Sequence, residues 1–433
     1  MKNQQEILSK LKIDTLNPMQ KEAIAKIPLT SNTILLSPTG TGKTVAFLLP
    51  LVDSLDPESA EVQALILVPS RELAIQIEQV VRDMGTGFKV NAIYGGRPMS
   101  KDKIELKHTP AILIGTPGRI LDHFMADRFS KEYITTLILD EFDKSLEVGF
   151  EAEMTDILNE LPNLNTRILT SATEGIKIPK FVGMVDPVRI DYLAEAVPAQ
   201  LSIKTVISQD KDKRNTLVAL LKFIGNAPGI IFCNYKDSIE EVSQFLDKNN
   251  IAHGCFSGDL EQRERERALI TFRNGSSMIL LATDLAARGI DIPELSFIIH
   301  FELPHSVAEF THRNGRTARV NAAGTAYVLR WEKEALPDFI PKSGALDIRQ
   351  QQKLEKPYWE TLFISGGRKD KISKGDIAGL FFKQGNLKKE QLGTIELKQD
   401  CAFVAVPHAL AKRLAASLNN SKLKRKKVRI TIL

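Results

Sequence analysis

The sequence predicts an α/β protein in which two tandem domains with parallel sheets precede a small domain of βαββαβ order. In two successive blocks, short runs of β-branched residues alternate with longer helix-like stretches, which is typical of parallel-sheet domains. The last 75 residues follow a different order of strands and helices and are strongly basic. The length of 433 residues accommodates two or three domains, and 43% hydrophobic residues suffice for their cores.

Each of the first two blocks contains five candidate strands, and polar or glycine residues follow them at the expected carboxyl edge of the sheet. Pro198 marks a join between the two blocks, close to residues 197–202. The candidates in the first block are residues 33–36, 64–68, 111–115, 136–140 and 167–170. Those in the second block are residues 203–208, 229–233, 278–282, 297–300 and 325–329.

The end of the chain predicts the small third domain, in the ferredoxin-like order that RNA recognition motifs use. A stretch rich in Lys, Glu, Gln and Pro precedes it and predicts a linker. The predicted elements are strand 361–365, helix 374–381, strands 393–397 and 402–406, helix 408–418 and strand 428–433. We therefore predict domains at 1–197, 203–332 and 359–433, with the linker at 333–358.

Composition favours a cytoplasmic protein. The three cysteines, Cys233, Cys255 and Cys401, are far apart and lack the spacing of metal ligands, which suits a reducing compartment. The first residues contain no apolar signal segment, and no run of about 18 apolar residues predicts a membrane span. We expect a soluble, cytoplasmic monomer that does not bind membranes.

The net charge of +5 conceals an uneven distribution along the chain. Residues 359–433 contain 16 Lys and Arg against 6 Asp and Glu, whereas residues 1–358 contain 42 against 47. Such asymmetry indicates a C-terminal module that binds a polyanion, most often a nucleic acid. The alternative is a solvated basic face, and the run of cations at 422–427 could equally protect an edge strand from aggregation.

Residues 37–44, Ser-Pro-Thr-Gly-Thr-Gly-Lys-Thr, connect a candidate strand to a helix-like stretch and predict a phosphate-binding loop. Its glycines let backbone N–H groups surround phosphates, Lys43 can reach the β and γ phosphates, and the Thr44 hydroxyl can bind Mg²⁺. Ser37 stands where the strict pattern has Gly, so an ordinary glycine-rich turn is the alternative. The remaining loop residues expected to contact the nucleotide are Thr39, Gly40, Thr41 and Gly42.

A second candidate strand ends in the acids Asp140 and Glu141, at the sheet edge where the phosphate loop also lies. Asp140 is suited to hold Mg²⁺, and Glu141 to orient and deprotonate an attacking water. In the second block, residues 311–319 carry three arginines spaced by three. Arg316 and Arg319 could act as arginine fingers when two domains close, although a surface charge run is the alternative.

These motifs resemble those of the DEAD-box ATP-dependent RNA helicases. The resemblance extends over almost the whole chain and implies two RecA-like domains. The matching stretches are residues 18–20, 37–44, 69–74, 116–119, 140–143, 171–173, 283–291 and 312–319. The third residue of the 140–143 motif is Phe142 and not Ala, which we expect to alter packing and leave catalysis intact. Residues 1–20 lack the aromatic residue of the family, which puts adenine stacking in question.

The resemblance also implies a role for each matched residue. Gln20 would read the adenine of ATP, Asp291 would contact the ribose, and Lys43, Thr44 and Asp140 would bind the phosphates and Mg²⁺. Glu141 would be the catalytic base, with Arg316 and Arg319 as fingers from the second domain. Ser171, Thr173 and His312 would couple hydrolysis to domain motion. The RNA backbone would be contacted by Arg71, Gly96, Thr116, Arg119 and Thr283.

The third domain resembles the RNA-binding domain of the DbpA-type helicases, through residues 362–372 and 402–406. That resemblance implies recognition of a hairpin in large-subunit ribosomal RNA and a role in ribosome assembly. The residues expected to bind RNA are Phe363, Arg368, Lys369, Phe403, Lys424, Arg425, Lys426 and Lys427. The two phenylalanines could stack on bases or pack in the core, and both readings stay open.

Three functions remain open at this point. The first is an RNA-stimulated ATPase whose domain closure separates short RNA duplexes. The second is an ATP-gated RNA clamp or assembly platform with little unwinding. The third is a DNA helicase on the same core.

Overall fold

The computed structural model describes residues 4–38, 40–173, 177–193, 201–284, 295–317 and 324–433. The described residues up to 193 form one compact unit, and those from 201 onward form another. The first unit contains a parallel sheet of seven strands in the order β3-β4-β2-β5-β6-β1-β7. These strands are β1 Asn32–Leu36, β2 Ala64–Leu67, β3 Val90–Ile93, β4 Ile112–Gly115, β5 Thr136–Leu139, β6 Thr166–Ser171 and β7 Val188–Asp191.

Eight helices of this unit are described, and apolar clusters pack both faces of the sheet, as parallel sheets require. One cluster contains Leu35 and Ile66, and the other contains Leu65 and Leu137. The helices are α1 Gln4–Leu11, α2 Pro18–Lys26, α3 Lys43–Ser54, α4 Arg71–Met84, α5 Met99–Leu106, α6 Pro117–Met125, α7 Phe142–Val148 and α8 Glu151–Asn159.

The second unit begins with a parallel sheet of six strands in the order β10-β11-β9-β12-β13-β8. Its strands are β8 Leu201–Ser208, β9 Gly229–Phe232, β10 Gly254–Phe256, β11 Ile279–Ala282, β12 Phe297–His300 and β13 Gly324–Trp331. The described helices of this part are α9 Arg214–Ile224, α10 Lys236–Lys248, α11 Gln262–Arg273 and α12 Val307–Asn314. Both parallel sheets agree with the predicted fold class of two RecA-like domains.

The segment predicted as a linker runs along the surface of this second domain. The Thr205 and Ser343 hydroxyls lie 2.8 Å apart, and the Leu346 backbone N–H donates to the Thr205 carbonyl at 2.8 Å. Further on, the Gln352 N–H donates to the Lys222 carbonyl at 2.8 Å, and Ile348 packs against the apolar core. These contacts attach the segment to the domain along much of its length.

The third domain is a four-stranded antiparallel sheet in the order β15-β16-β14-β19, with two helices on one face. Leu362, Ile364 and Val404 point into its core, together with Phe381 and Leu414 of the helices. The strands are β14 Trp359–Ile364, β15 Ile395–Leu397, β16 Ala402–Pro407 and β19 Ile430–Ile432, and β17 Lys422–Leu423 pairs with β18 Lys426–Lys427 in a hairpin. The helices are α13 Lys374–Lys383 and α14 His408–Leu418.

Candidate functional site

The phosphate loop connects β1 to α3 and is shaped by two glycines. Gly40 has φ +82° and Gly42 has φ +86°, a left-handed region that side chains other than glycine rarely adopt. Lys43 is the first residue of α3 and only 8% exposed, and its Nζ donates to the carbonyls of Ser37 and Pro38, the latter at 2.9 Å. The loop therefore holds its lysine inside the curve where phosphates would bind.

Ser37 closes this loop with its side chain. Its Oγ donates to Thr41 Oγ1 at 2.7 Å, and Thr41 Oγ1 in turn donates to the Pro38 carbonyl at 2.9 Å. The Ser37 N–H donates to the carbonyl of Ser171 at 3.1 Å, which joins the loop to the end of β6. Serine at this position therefore supplies a hydrogen bond that glycine could not make.

Gln20 is bonded to the same loop. Asn17 caps α2 in a capping box with Gln20, and the Asn17 side chain donates to the Thr41 carbonyl at 2.9 Å. Gln20 Nε2 donates to the Gly42 carbonyl at 3.3 Å, and a Cβ added at Gly42 would lie 2.5 Å from that nitrogen. The predicted adenine reader and the phosphate loop thus form one hydrogen-bonded assembly.

Asp140 follows β5 and is 3% exposed. Burial raises its pKa, against the hydrogen bond from the Thr170 hydroxyl and the charge of Lys43, which both lower it. Glu141 adopts a left-handed conformation with φ +49°, and its N–H donates to Asp140 Oδ1 and to Thr170 Oγ1, each at 3.2 Å. Because β1, β6 and β5 are adjacent parallel strands, these acids lie at the same sheet edge as the phosphate loop.

The motif that contains Asp140 is also bonded to the motif at residues 171–173. Thr173 Oγ1 donates to Asp143 Oδ2 at 3.0 Å, and the Thr173 N–H donates to Ser171 Oγ at 3.0 Å. Phe142 points away from this polar network, is fully buried and belongs to the apolar cluster on one face of the sheet. The structure thus places the departure from the family pattern in the core.

The residues predicted to line the RNA path in this unit gather at the carboxyl ends of β2, β3 and β4. Arg71 begins α4, and Gly96 approaches it so closely that a Cβ there would overlap the Arg71 guanidinium. Thr116 precedes α6 directly, and Arg119 lies in its first turn. Because β3, β4 and β2 are neighbours in the sheet, the four residues share one edge.

A buried carboxylate organises the arginines at this edge. Asp102 is fully buried, and its oxygens lie 2.7 Å from Arg97 Nε, 3.2 Å from Arg119 Nη1 and 3.1 Å from His123 Nε2. Arg119 Nη2 also donates to the Arg97 carbonyl at 2.9 Å. Asp102 therefore joins two guanidinium groups, and Arg97 Nη2 also lies 2.8 Å from Glu105.

In the second unit, Arg313 is the first arginine of residues 311–319 and is held by structural contacts. Arg313 is 1% exposed, and it donates to Asp284 through Nε at 2.8 Å and through Nη2, which also reaches Asn234 Oδ1 at 2.7 Å. Arg316, with 7% exposure, follows at the end of α12, and His312 lies within that helix. Thr283 comes directly after β11, next to Asp284. Thr39, Asp291 and Arg319 lie outside the described residues.

In the third domain, the predicted RNA-binding residues separate into two groups. Phe363 and Phe403 form an edge-to-face pair with ring centroids 5.7 Å apart, and both point away from the domain core. Arg368, Lys369, Lys424 and Arg425 are exposed, whereas Lys426 is half-buried. Lys424 Nζ lies 3.0 Å from Asp376, and Lys426 Nζ lies 2.8 Å from Asp370.

Comparison with known proteins identifies the family. Residues 17–180 match the DEAD/DEAH box helicase family, residues 212–321 the helicase conserved C-terminal domain, and residues 361–432 the DbpA RNA-binding domain. The chain is 31% identical over 98% of its length to the ATP-dependent RNA helicase DbpA of Escherichia coli K12, of which the match covers 96%. The chain belongs to the DEAD-box ATP-dependent RNA helicases. The recognised resemblance and the enzyme class are thereby confirmed.

Other relatives agree with membership in this helicase family. The ATP-dependent RNA helicase DbpA of Bacillus subtilis is 28% identical over 92% of the chain and 90% of the relative. Among solved structures, Saccharomyces cerevisiae Dbp5 bound to RNA and ADP BeF3 matches with a TM-score of 0.67 and 27% identity, over 76% of this chain and 88% of that one. Within the described ranges of this helicase, no helix is both long and apolar enough to cross a membrane.

The sequence does not predict several residues that organise the site of this helicase. Asn17 had a local signal, because Asn followed three residues later by Gln is a capping-box pattern. The contacts of Asp102 and Arg97 with Arg119, and of Thr170 with Asp140, had no such signal, since they join residues 17 to 30 positions apart that only the fold brings together. The arginine spacing includes Arg313, but it does not predict that Arg313 is buried against Asp284.

Proposed function

We propose that this helicase couples RNA-stimulated ATP hydrolysis to closure of its two RecA-like domains and to local separation of short RNA duplexes. The observation that carries the proposal is the bonded assembly of the phosphate loop, Gln20 and the Asp140 network. It joins the predicted adenine contact, phosphate contact and metal-binding acid at one sheet edge. Binding of a complete nucleoside triphosphate to such an assembly can shift the conformation of the residues bonded to it.

The described residues fit a bound Mg·ATP. Gly40 and Gly42 give the loop its left-handed turns, and a hydroxyl and a carboxylate are oxygen ligands of the kind that Mg²⁺ prefers. Thr44 and Asp140 would hold Mg²⁺, which when bound neutralises phosphate charge. Lys43 would exchange its loop carbonyls for phosphate oxygens.

The protein's own residues would then perform the proton and charge chemistry. Glu141, held beside Asp140 by its backbone N–H, would accept the proton of the attacking water. Arg316 and Arg319 would stabilise the charge of the transferred phosphoryl group when the domains close. Ser171 and Thr173, bonded to the acid motif through Asp143, would transmit the change to the RNA-binding edge. In the second domain, His312 would take part in this coupling, and Thr283 would contact the RNA backbone.

The RNA substrate would be held in two places. Arg71, Gly96, Thr116 and Arg119 would contact its backbone, which explains indifference of the core to sequence. The basic residues of the third domain would select a ribosomal RNA hairpin. We propose that the protein takes part in large-subunit assembly and that it acts as a monomer. Two features support this: the match to the DbpA RNA-binding domain and the excess of 16 Lys and Arg over 6 Asp and Glu in residues 359–433.

Duplex separation on matched RNA and DNA substrates tests the proposed function. We expect ATP-dependent separation of short RNA duplexes by the wild type. Glu141→Gln should still bind ATP and RNA but hydrolyse ATP slowly, because only the base is lost. ATP-dependent RNA retention without strand separation would instead support the clamp. Equal or faster separation of the DNA duplex would contradict the proposal.

A further inference from the structure

The sheet of the third domain has an outer face, opposite its core, that includes Trp359, Thr361, Phe363, Glu396 and Phe403. The register fixes this set, since Phe363 and Glu396 both pair with Phe403 while the neighbouring Leu362 and Val404 enter the core. In RNA recognition motifs, aromatic residues on the corresponding sheet surface stack on bases. Whether the outer face can do so here depends on what covers it.

The end of α11 and the turn after it contact the outer face. Arg273 forms a bidentate ion pair with Glu396, with Nε to Oε1 at 2.8 Å and Nη2 to Oε2 at 2.9 Å. Asn274 Nδ2 donates to Thr361 Oγ1 at 3.2 Å, and the Ser276 hydroxyl lies 2.6 Å from the same oxygen. Three residues of the second domain therefore make polar contacts with two strands of the third.

An aromatic ring completes this contact. Gly275, between Asn274 and Ser276, has φ +72°, and a Cβ added there would lie 3.2 Å from Cδ1 of Trp359. On its other side the Trp359 ring approaches the sheet, because a Cβ added at Gly393 would lie 3.1 Å from Cζ3 of Trp359. The ring is thus packed between the sheet and the turn.

The outer face is buried at Thr361 and Phe403, whereas Trp359, Phe363 and Glu396 are half-buried. Thr361 is 0% exposed, Asn274 is 4% exposed and Phe403 is 6% exposed. Buried polar groups cost free energy unless they are hydrogen-bonded, and here Asn274 and Thr361 bond each other. Glu396 is one of only 6 acids in residues 359–433, and a carboxylate at this position would repel RNA phosphates.

We propose that the outer face is a docking surface for the end of α11 and does not stack on RNA bases. The Arg273–Glu396 pair fixes the orientation of the two domains, and the buried Thr361 cluster excludes water between them. RNA recognition by the third domain is thereby left to its exposed basic residues. This proposal goes beyond the helicase activity, because it concerns how the RNA-binding module is joined to the motor.

Disulfide trapping tests the docking without ATP or RNA. In a chain with Cys255 and Cys401 replaced by Ser, cysteines are introduced at Ser276 and Thr361, whose hydroxyls are 2.6 Å apart. The control pairs Ser276→Cys with Lys412→Cys, since Lys412 is exposed on α14, which packs on the opposite face of the sheet. We expect rapid cross-linking of the first pair only. Equal cross-linking rates for both pairs would overturn the proposal.

A charge exchange tests the role of the ion pair in the same full-length chain. Arg273→Glu and Glu396→Arg should each slow the 276–361 cross-link by about tenfold, the effect of a lost bidentate pair, and the double exchange should restore it. Arg263→Glu, at an exposed site on the same helix, and Glu390→Arg, exposed on the third domain, are the charge-matched controls. No change in either single variant, with both folded by circular dichroism, would refute the ion pair's role.

An RNA titration tests the second part of the proposal. Phe363→Ala in the full chain should leave the Kd for ribosomal RNA fragments within about twofold, whereas a base-stacking aromatic would cost about tenfold or more. Phe382→Ala, on an exposed part of α13, is the control for general destabilisation. A tenfold loss confined to Phe363→Ala would show that bases do stack on the outer face. The unwinding assay of the wild type does not depend on whether bases stack on the outer face. The docking proposal and the proposed helicase function can therefore fail separately.

Discussion

At the scale of single residues, Asp140 combines a functional position with an energetic cost. Its pKa is raised because burial disfavours the carboxylate, so the ionised form lowers folding stability at pH values above that pKa. Deprotonation is nonetheless necessary for binding a metal. The loss of hydration at the ionised carboxylate therefore destabilises the site, and a bound cation would offset that cost.

We predict that Asp140→Asn raises the Tm of the protein in EDTA at neutral pH, by about 2–4 °C for each kcal/mol gained. The difference from wild type should shrink as the pH falls through the raised pKa, since the wild-type carboxyl then becomes protonated. With Mg·ATP present the order should reverse, because only the wild type gains the metal. Thermal denaturation over a pH series measures this, with Asp53→Asn at an exposed site of α3 as the control. A lower Tm for Asp140→Asn in EDTA at neutral pH would contradict the assigned cost.

Asp102 is a second residue whose effect is exerted through others. We predict that Asp102→Asn raises the RNA concentration for half-maximal ATPase about tenfold, as expected for charged hydrogen bonds, and leaves the unstimulated rate unchanged. The reason is that Arg97 and Arg119 lose the buried carboxylate that orients them.

The control for this change is Asp122→Asn. Asp122 lies 3.9 Å from Arg119 but its side chain is 59% exposed, so its removal should alter RNA stimulation little. If both variants behaved alike, orientation by Asp102 would not explain the arrangement of the arginines. Steady-state ATPase assays over an RNA series at fixed ATP provide the measurement.

At the scale of elements, the phosphate loop requires two properties of Gly42: a left-handed backbone and an empty Cβ position beside Gln20. We predict that Gly42→Ala raises the KM for ATP at least about tenfold, since backbone strain of about 1–2 kcal/mol adds to displacement of the Gln20 amide. Gly87→Ala is the matched control. Gly87 has φ +97° with nothing within 4 Å of an added Cβ, so it isolates strain from contact. A normal KM in Gly42→Ala would show that the bond to Gln20 is dispensable.

The elements also show what sequence patterns could and could not predict. The strands that carry the nucleotide motifs were predicted within one or two residues, because buried parallel strands are short continuous apolar runs bounded by polar residues. Sequence patterns do not predict β3, β7 and β10, three of the four outermost strands of the parallel sheets, since Val90–Ile93, Val188–Asp191 and Gly254–Phe256 are short and lack a continuous apolar run. The β17–β18 hairpin is not predicted, because it lies in a run of lysines.

The site could be predicted where chemistry follows local spacing. Lys43, Thr44 and Asp140 have sequence signals, because each stands at a fixed offset from a strand end. The Asp102–Arg119 and Arg273–Glu396 pairs have none, since they join residues 17 and 123 positions apart whose types are common on any surface. Such contacts become visible only when the folded chain brings distant segments together.

At the scale of the whole molecule, the third domain supplies all of the excess positive charge, because residues 1–358 contain more acidic than basic residues. We predict that deletion of residues 359–433 preserves unstimulated ATPase but removes the preference for the cognate ribosomal RNA fragment. Each lost phosphate contact should make the slope of log K against log salt shallower by about 0.7–0.9. The control is the full chain with Arg425→Gln and Lys427→Gln, two exposed cations, which should reduce the slope by about 1.4–1.8. A retained preference after deletion would locate specificity in the core.

The attached segment at 333–358 and the docked outer face together change how captured RNA is delivered. A flexible linker would present bound RNA to the motor over a range of distances, at a local concentration set by chain statistics. A third domain held to the second by the contacts of Arg273 and Ser276 would present RNA at one distance from the second domain. If the third domain binds a hairpin as proposed, the distance from that hairpin to the unwound duplex would be fixed. Unwinding would be fastest for duplexes at one spacing from that hairpin and would fall off on either side.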